Sequence, residues 1–196
     1  MKIILGSKSP RRKLILSGLT DEFEIMHPDA DETIIIGESP AGYSVRIASD
    51  KAMSIFTLID KKENSLIISC DTIVCINNEI LGKPDDYDTA FSYLKKLSGK
   101  THSVLSSFCL IKTSGSAIEK IASGTETTFV AFKPLADEVI EKYLSITEFM
   151  DKAGAYAAQE NGNLIIEKIE GSVTNVIGFP LRLYFSLMNE LGFYKN

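Results

Sequence analysis

Three observations predict an α/β fold built on a mixed β-sheet. Short apolar strands alternate with amphipathic helices along the chain, the pattern of a sheet covered by helices. Some strands are joined by tight turns rather than by helices, so antiparallel pairs must accompany parallel ones. The 196 residues contain no internal repeat, low-complexity block or Pro/Ser-rich linker, so residues 1–196 read as one domain, or as one domain with two lobes.

Residues 2–5 form a short apolar strand. Ser9-Pro10 then supplies an N-cap residue followed by proline at the first helical position, and Gly18 closes a short helix. Ser39-Pro40 repeats that start and opens a helix whose Val45, Ala48, Ala52, Ile55, Phe56 and Ile59 keep helical spacing, with Arg46, Asp50 and Lys51 on its charged face. Residues 66–76 are β-rich, and the Asn77-Asn78 turn sends the chain back through Ile80-Leu81 as a hairpin. A third helix starts at Asp85 with acids in its first turn, carries Ala90, Leu94 and Leu97 inward, ends on Lys95-Lys96 and stops at Gly99. Strands around 102–111 and 118–132 pair through Thr113-Ser114-Gly115-Ser116. A helix around 137–144 and a strand at 164–169 follow. A last helix, opened by Pro180, has Leu183, Leu187 and Leu191 on one side and Gly192 as its stop.

Lys and Arg number 21 against 26 Asp and Glu, a formal charge of −5, with 44% hydrophobic residues. That is ordinary for a folded chain and unlike a disordered, collagen-like or disulfide-scaffold one. An acidic chain fits neither nucleic acid nor an anionic membrane, because both reward a positive field. Any phosphate chemistry therefore needs a local basic site. His27 and His102 are the only histidines, so no His-based zinc cluster is available. Cys70, Cys75 and Cys109 are odd in number and form no C-x-x-C pair; they read as reduced, buried thiols of a cytosolic protein. The longest charge-free stretch, 171–181, is far below the roughly 18 residues of a membrane helix. The apolar run after Met1-Lys2 is too short for a signal peptide, which leaves the cytoplasm as the expected compartment and a membrane as no partner.

Residues 6–12, Gly-Ser-Lys-Ser-Pro-Arg-Arg, lie between a strand and a helix start. Helix N-termini present unpaired N–H groups and a positive dipole end, and this loop adds hydroxyls, a lysine and two guanidinium forks suited to phosphate oxygens. The same pattern also describes a capped helix with solvated basic residues. Asp71 stands inside an apolar strand, where a carboxylate is costly without a metal, a cation or several donors beside it; at a strand end it would only cap a loop. Asp31-Glu32 offers further carboxylates. In Leu81-Gly82-Lys83-Pro84 the proline fixes the chain after Lys83 and can aim its ammonium, although a lone lysine in such a turn is more often simply exposed. Gly99-Lys100-Thr101 is no Walker loop, because position 94 is Leu where that motif needs glycine.

In chain order these segments, with Val45-Arg46-Ile47-Ala48-Ser49-Asp50-Lys51-Ala52, Cys70-Asp71-Thr72-Ile73-Val74, Leu97-Ser98-Gly99-Lys100-Thr101-His102, Asp151-Lys152-Ala153-Gly154-Ala155-Tyr156 and Asn175-Val176-Ile177-Gly178-Phe179-Pro180, resemble the Maf family of nucleoside triphosphate pyrophosphatases nearly end to end. The resemblance implies an elongated mixed sheet flanked by helices, in two lobes with a central cleft, related in fold to inosine triphosphate pyrophosphatases. It also implies cleavage between the α and β phosphates with a divalent metal, Mg²⁺ or Mn²⁺, and a homodimer. Asp71 matches the family's proton acceptor. Arg11, Thr72 and Gln159 match the positions that distinguish substrate subgroups, and this set looks like the dTTP/UTP subgroup.

On that assignment Ser7, Ser9, Arg11, Arg12, Lys51 and Lys83 are the expected triphosphate clamps, and Glu32 and Asp71 the metal-holding acids. Asp71 would assist a water attacking the α-phosphorus, and Gln159 would pair with the 4-carbonyl and N3–H shared by thymine and uracil. The alternative is a nucleotide- or partner-binding regulator of septum formation with little turnover. The chain departs from the family at Gly6, where alanine is usual, at Phe149, where a proline is common, and at Ala157 and Glu160, which replace glycines on either side of Gln159. His102 and Tyr156 read as packing or hydrogen-bonding residues, and Lys152 either as a phosphate or acid partner or as half of a structural ion pair.

Overall fold

The computed structural model describes residues 1–60 and 62–194. Its chain divides into two units, one of Met1–Asp71, Ser106–Glu126 and Gly178–Asn196, the other of Thr72–Leu105 and Thr127–Ile177. The seven strands follow the order β2-β1-β3-β5-β6-β7, with β4 on β3. The sheet is mixed, as the sequence predicts.

In the first unit β1 (Lys2–Gly6) lies between β2 (Glu24–Met26) and β3 (Ser65–Ile76), parallel to both. Parallel strands are covered on both faces, which explains the unbroken apolar runs Ile3-Ile4-Leu5 and Leu66-Ile67-Ile68. Ile4 and Ile67 face Ala48, Ala52 and Ile55 of α2 (Pro40–Leu58). Leu5, Leu66 and Ile68 face Leu16 of α1 (Pro10–Ser17), Phe179, and Tyr184, Leu187 and Met188 of α6 (Leu181–Glu190). Gly6 is explained by the same packing. A Cβ there would stand 2.5 Å from Ser69 Oγ and 3.0 Å from Ile55 Cγ1, so the family's usual alanine would require the Ser69 hydroxyl to rotate away and Ile55 to shift slightly.

In the second unit Asn77 and Asn78, at φ 52° and 64°, make the primed turn that joins β3 to β4 (Glu79–Leu81). Antiparallel pairing sets Val74 opposite Leu81. Two helices, α3 (Tyr87–Leu97) and α4 (Asp137–Ile146), bury Leu94, Leu97, Ile140 and Tyr143 with Val74, Val104, Phe132 and Tyr156. The remaining strands are β5 (Thr101–Ser114), β6 (Ala117–Phe132) and β7 (Ile166–Glu170), the last antiparallel to β6. Among the described residues no helix is long and apolar enough to cross a membrane, and all three cysteines are free and buried.

Several boundaries differ from the sequence reading. The third helix starts at Tyr87, because Asp86 is its N-cap and accepts the Thr89 N–H at 2.8 Å. Ser39 caps as expected, accepting from Gly42 N–H, but the Ser9 side chain makes no cap bond, and instead its own N–H donates to Ser7 Oγ. The last strand begins at Ile166 rather than 164, after a 3₁₀ turn over Gly162–Leu164 that Asn161 enters at φ 54°. The three-residue β2 and the short helix α5 (Val173–Ile177) carry no periodicity to find.

His102 is 2% exposed, with Nε2 2.7 Å from the Tyr156 hydroxyl and its ring edge-on to Phe132 and Tyr156. Burial pushes its imidazole down from 6.5 to about 4. The unfolded chain therefore binds a proton that the folded chain refuses between those values, so the contribution is fully present above pH 6.5 and is lost as pH falls toward 4. Relative to a His102→Phe variant, urea unfolding should find the wild type losing about 3 kcal/mol between pH 7 and pH 4. Parallel curves for the two proteins would contradict this.

Candidate active site

Lys51 sits on α2 at the edge of the face buried by Ala48, Ala52 and Ile55, so its stem is covered and its head emerges beside the end of the first unit's part of β3. The ammonium lies 2.7 Å from Glu32 Oε1 and 2.8 Å from Asp71 Oδ1. Asp71 keeps 10% of its side chain exposed, and its Oδ2 is buried without a hydrogen bond. The charge expected beside this buried carboxylate is therefore Lys51, shared with an acid 39 positions before Asp71 in the chain. Ser44 Oγ reaches the Asp71 carbonyl at 3.5 Å.

Glu32 stands on a loop without regular structure that other residues of α2 hold in place. Tyr43 Oη donates to the Glu32 carbonyl at 2.9 Å. Burial, then the charges of Asp71 and Glu32, push that hydroxyl up to about 12, so it remains a donor. Arg46 forks onto Glu38 with both bonds at 2.8 Å and donates to the Thr33 carbonyl. Tyr43, Ser44 and Glu38 were not marked by the sequence reading. The signal available was the spacing of Tyr43 and Arg46, one helical turn apart just after the Ser39 cap.

The loop before α1 is built around Ser7, 5% exposed, whose Oγ accepts from Ser9 N–H and from Arg12 Nη1, both at 3.2 Å. Arg12 also donates to the carbonyls of Cys70 at 2.6 Å and Gly178 at 3.0 Å. It ties the loop to the residue preceding Asp71, a structural task that the expectation of a phosphate clamp did not include. Arg11 and Ser9 are half-buried at the helix start, and Lys8 is exposed.

Among the described residues no group of three or more His, Cys, Asp or Glu could hold a metal ion. Mg²⁺ commonly takes one or two carboxylates, substrate phosphates and several waters. Asp71 with its unsatisfied Oδ2, and Glu32 beside it, match that hard, oxygen-only donor set.

Thr72, Lys83 and Gln159 belong to the second unit. Lys83 is exposed, and the preceding Gly82 carbonyl accepts the Gly154 N–H at 3.0 Å. Lys152, 4% exposed, is a structural ion-pair residue, its Nζ lying 2.9 Å from Asp151 Oδ1 and 3.2 Å from Glu160 Oε2 and donating to the Glu148 carbonyl. Gln159 is exposed on a loop fixed at both ends. The buried Tyr143 hydroxyl accepts from Ala157 N–H at 3.0 Å and reaches the Glu160 carbonyl at 3.4 Å, while Asn161 Nδ2 donates to Thr147 Oγ1 at 3.0 Å. Gln159 Nε2 donates to Glu160 Oε1 at 3.3 Å.

The family model described as Maf-like protein matches residues 2–191. A dTTP/UTP pyrophosphatase of Pyrococcus furiosus is 45% identical over 192 residues, covering 97% of this chain and 95% of that protein. Proteins of the same name from Clostridium novyi and a Thermoanaerobacter species are 40% and 42% identical, covering 98% and 97% of this chain and 98% and 96% of theirs.

Proposed function

Since the chain belongs to the Maf-like family, we infer that it is a nucleoside triphosphate pyrophosphatase that cleaves dTTP and UTP to the monophosphate and pyrophosphate. The observation that carries the chemistry is the Lys51 ammonium held between Glu32 and the buried Asp71. A water attacks the α-phosphorus and gives its proton to the Asp71 carboxylate; the bond from the α-phosphorus to the bridging oxygen breaks, and pyrophosphate leaves with that oxygen. Mg²⁺ or Mn²⁺, held by Glu32 and Asp71, would supply neutralisation of phosphate charge.

Ser7 and Ser9 hydroxyls, the Arg11 guanidinium and the first N–H groups of α1 offer donors to phosphate oxygens, with Arg12 fixing that loop and adding its charge. Lys51 and Lys83 contribute ammonium charge, and Thr72 follows the proton acceptor in β3. Gln159 pairs with the base. A homodimer belongs to the same reading, as does the cytoplasm, which the three free, buried thiols support.

Purified protein incubated with each common nucleoside triphosphate and Mg²⁺ or Mn²⁺ is expected to release pyrophosphate and monophosphate in equal amounts from dTTP and UTP. Phosphate without pyrophosphate would overturn the reading. Binding of nucleotide with no turnover would favour the regulator instead.

A further inference from the structure

We propose that Glu160 is a positioning residue that locks the Gln159 amide in one orientation and thereby excludes cytosine from a site that accepts uracil and thymine. The inference rests on the assignment of Gln159 as base reader. A carboxylate can only accept hydrogen bonds, so the end of the Gln159 amide that faces Glu160 Oε1, 3.3 Å away, must be the NH₂ group. Glu160 is itself fixed, with Oε2 on buried Lys152 and its carbonyl on Tyr143 Oη. The next residue, Asn161, sits at φ 54° and is anchored to Ile146 and Thr147. Gln159 is otherwise exposed, so without Glu160 its amide would rotate between two faces of similar energy.

Those two faces read different pyrimidines. Uracil and thymine present an acceptor at position 4 and a donor at position 3, whereas cytosine presents the donor at 4 and the acceptor at 3. An amide that matches one pair matches the other after a half-turn. In this chain that half-turn would set the Gln159 carbonyl oxygen against the Glu160 carboxylate, leaving two acceptors facing each other. The departure from glycine at position 160 thus acts on specificity through Gln159. Asp151 Oδ1 and the Glu148 carbonyl continue to partner Lys152 when Glu160 is replaced, so the loop keeps its buried cation satisfied.

The test compares kcat/KM for UTP and CTP in the wild type, Glu160→Gly and Glu160→Gln. Glu160→Gly frees the amide and is expected to raise the CTP:UTP ratio about tenfold, the worth of one hydrogen bond to a charged group. Glu160→Gln gives its new oxygen to Lys152 and its NH₂ to Gln159, which favours the inverted face, and should raise the ratio further. Melting curves record the fold of each variant; a purely structural Glu160 would lower stability and both activities together and leave the ratio unchanged. A ratio within twofold of the wild type in both variants overturns the inference. A wild type that hydrolyses neither dTTP nor UTP overturns the functional reading instead, which separates the two failures. Should a variant not fold, the wild-type Gln159 side-chain amide, assigned in NMR spectra by its loss in Gln159→Glu, is expected to shift as a neighbouring carboxylate titrates. Amide shifts equal to those of free glutamine at every pH overturn the inference as well.

Discussion

Asp71→Asn is expected to lower kcat for UTP by about 10²- to 10⁴-fold while leaving nucleotide affinity and melting temperature close to the wild type. The substitution keeps the shape of the side chain and an oxygen that can accept from Lys51 at the 2.8 Å position of Oδ1. Lys51 also retains Glu32 at 2.7 Å, so no buried ammonium is orphaned. What disappears is an oxygen able to take a proton, together with the charge on the unsatisfied Oδ2. Pyrophosphate release under single-turnover conditions reports the chemical step, and calorimetric titration with a non-hydrolysable UTP analogue reports binding. Turnover within tenfold of the wild type would remove Asp71 from the proton-accepting role.

Gly154→Val should be among the most destabilising single changes outside that cluster. Gly154 sits at φ 66°, and a Cβ there would stand 2.9 Å from Val74 Cγ2 and 3.0 Å from Val74 Cβ and Cγ1. Left-handed backbone costs a β-branched residue about 1–2 kcal/mol, and overpacking a core about 1–3 kcal/mol, for a sum of roughly 2–5 kcal/mol. In a chain of 196 residues that corresponds to a fall in melting temperature of roughly 5–20 °C. The Gly154 N–H also holds the Gly82 carbonyl at 3.0 Å, so the turn that carries Lys83 should loosen and kcat/KM should fall more than stability alone explains. Adding Val74→Ala is expected to recover the steric share and not the backbone share, a partial rescue readable as a coupling in a double-mutant cycle. Full recovery, or no loss in the single variant, would contradict this account.

The parts of the fold that were legible in the sequence are those whose cause is local. Ile3-Ile4-Leu5 and Leu66-Ile67-Ile68 announce strands covered on both faces, Asn77-Asn78 announces a primed turn, and Ser39 announces a cap. Strand β2 was not legible, because three residues with mostly exposed side chains become a strand only by pairing with β1. Ser9 takes the N-cap position that the sequence announces, with Pro10 after it, but its hydroxyl makes no cap bond, and Ser7 Oγ instead accepts the Ser9 N–H. The same division holds for the site. The residue types at 32, 51 and 71 declare charge chemistry, but that a single ammonium serves both acids depends on how α2 lies against β3. The Arg12 bonds to Cys70 and Gly178 were invisible, because every residue carries a carbonyl and nothing in the sequence marks which ones a guanidinium will choose.

The first unit has a consequence for how the protein is born. Its core takes Phe179, Tyr184, Leu187, Met188 and Leu191 from the last segment of the chain, and Arg12 reaches the Gly178 carbonyl at the start of that segment. The segments of the second unit end at Ile177. A ribosome therefore delivers every residue of the second unit before the first can close. A chain terminated early carries Lys51 and Asp71 without the anchor that shapes the loop at Ser7. The core of the first unit and the Arg12 anchor of the loop at Ser7 thus close only after Gly178, Phe179 and the residues up to Leu191 have been made.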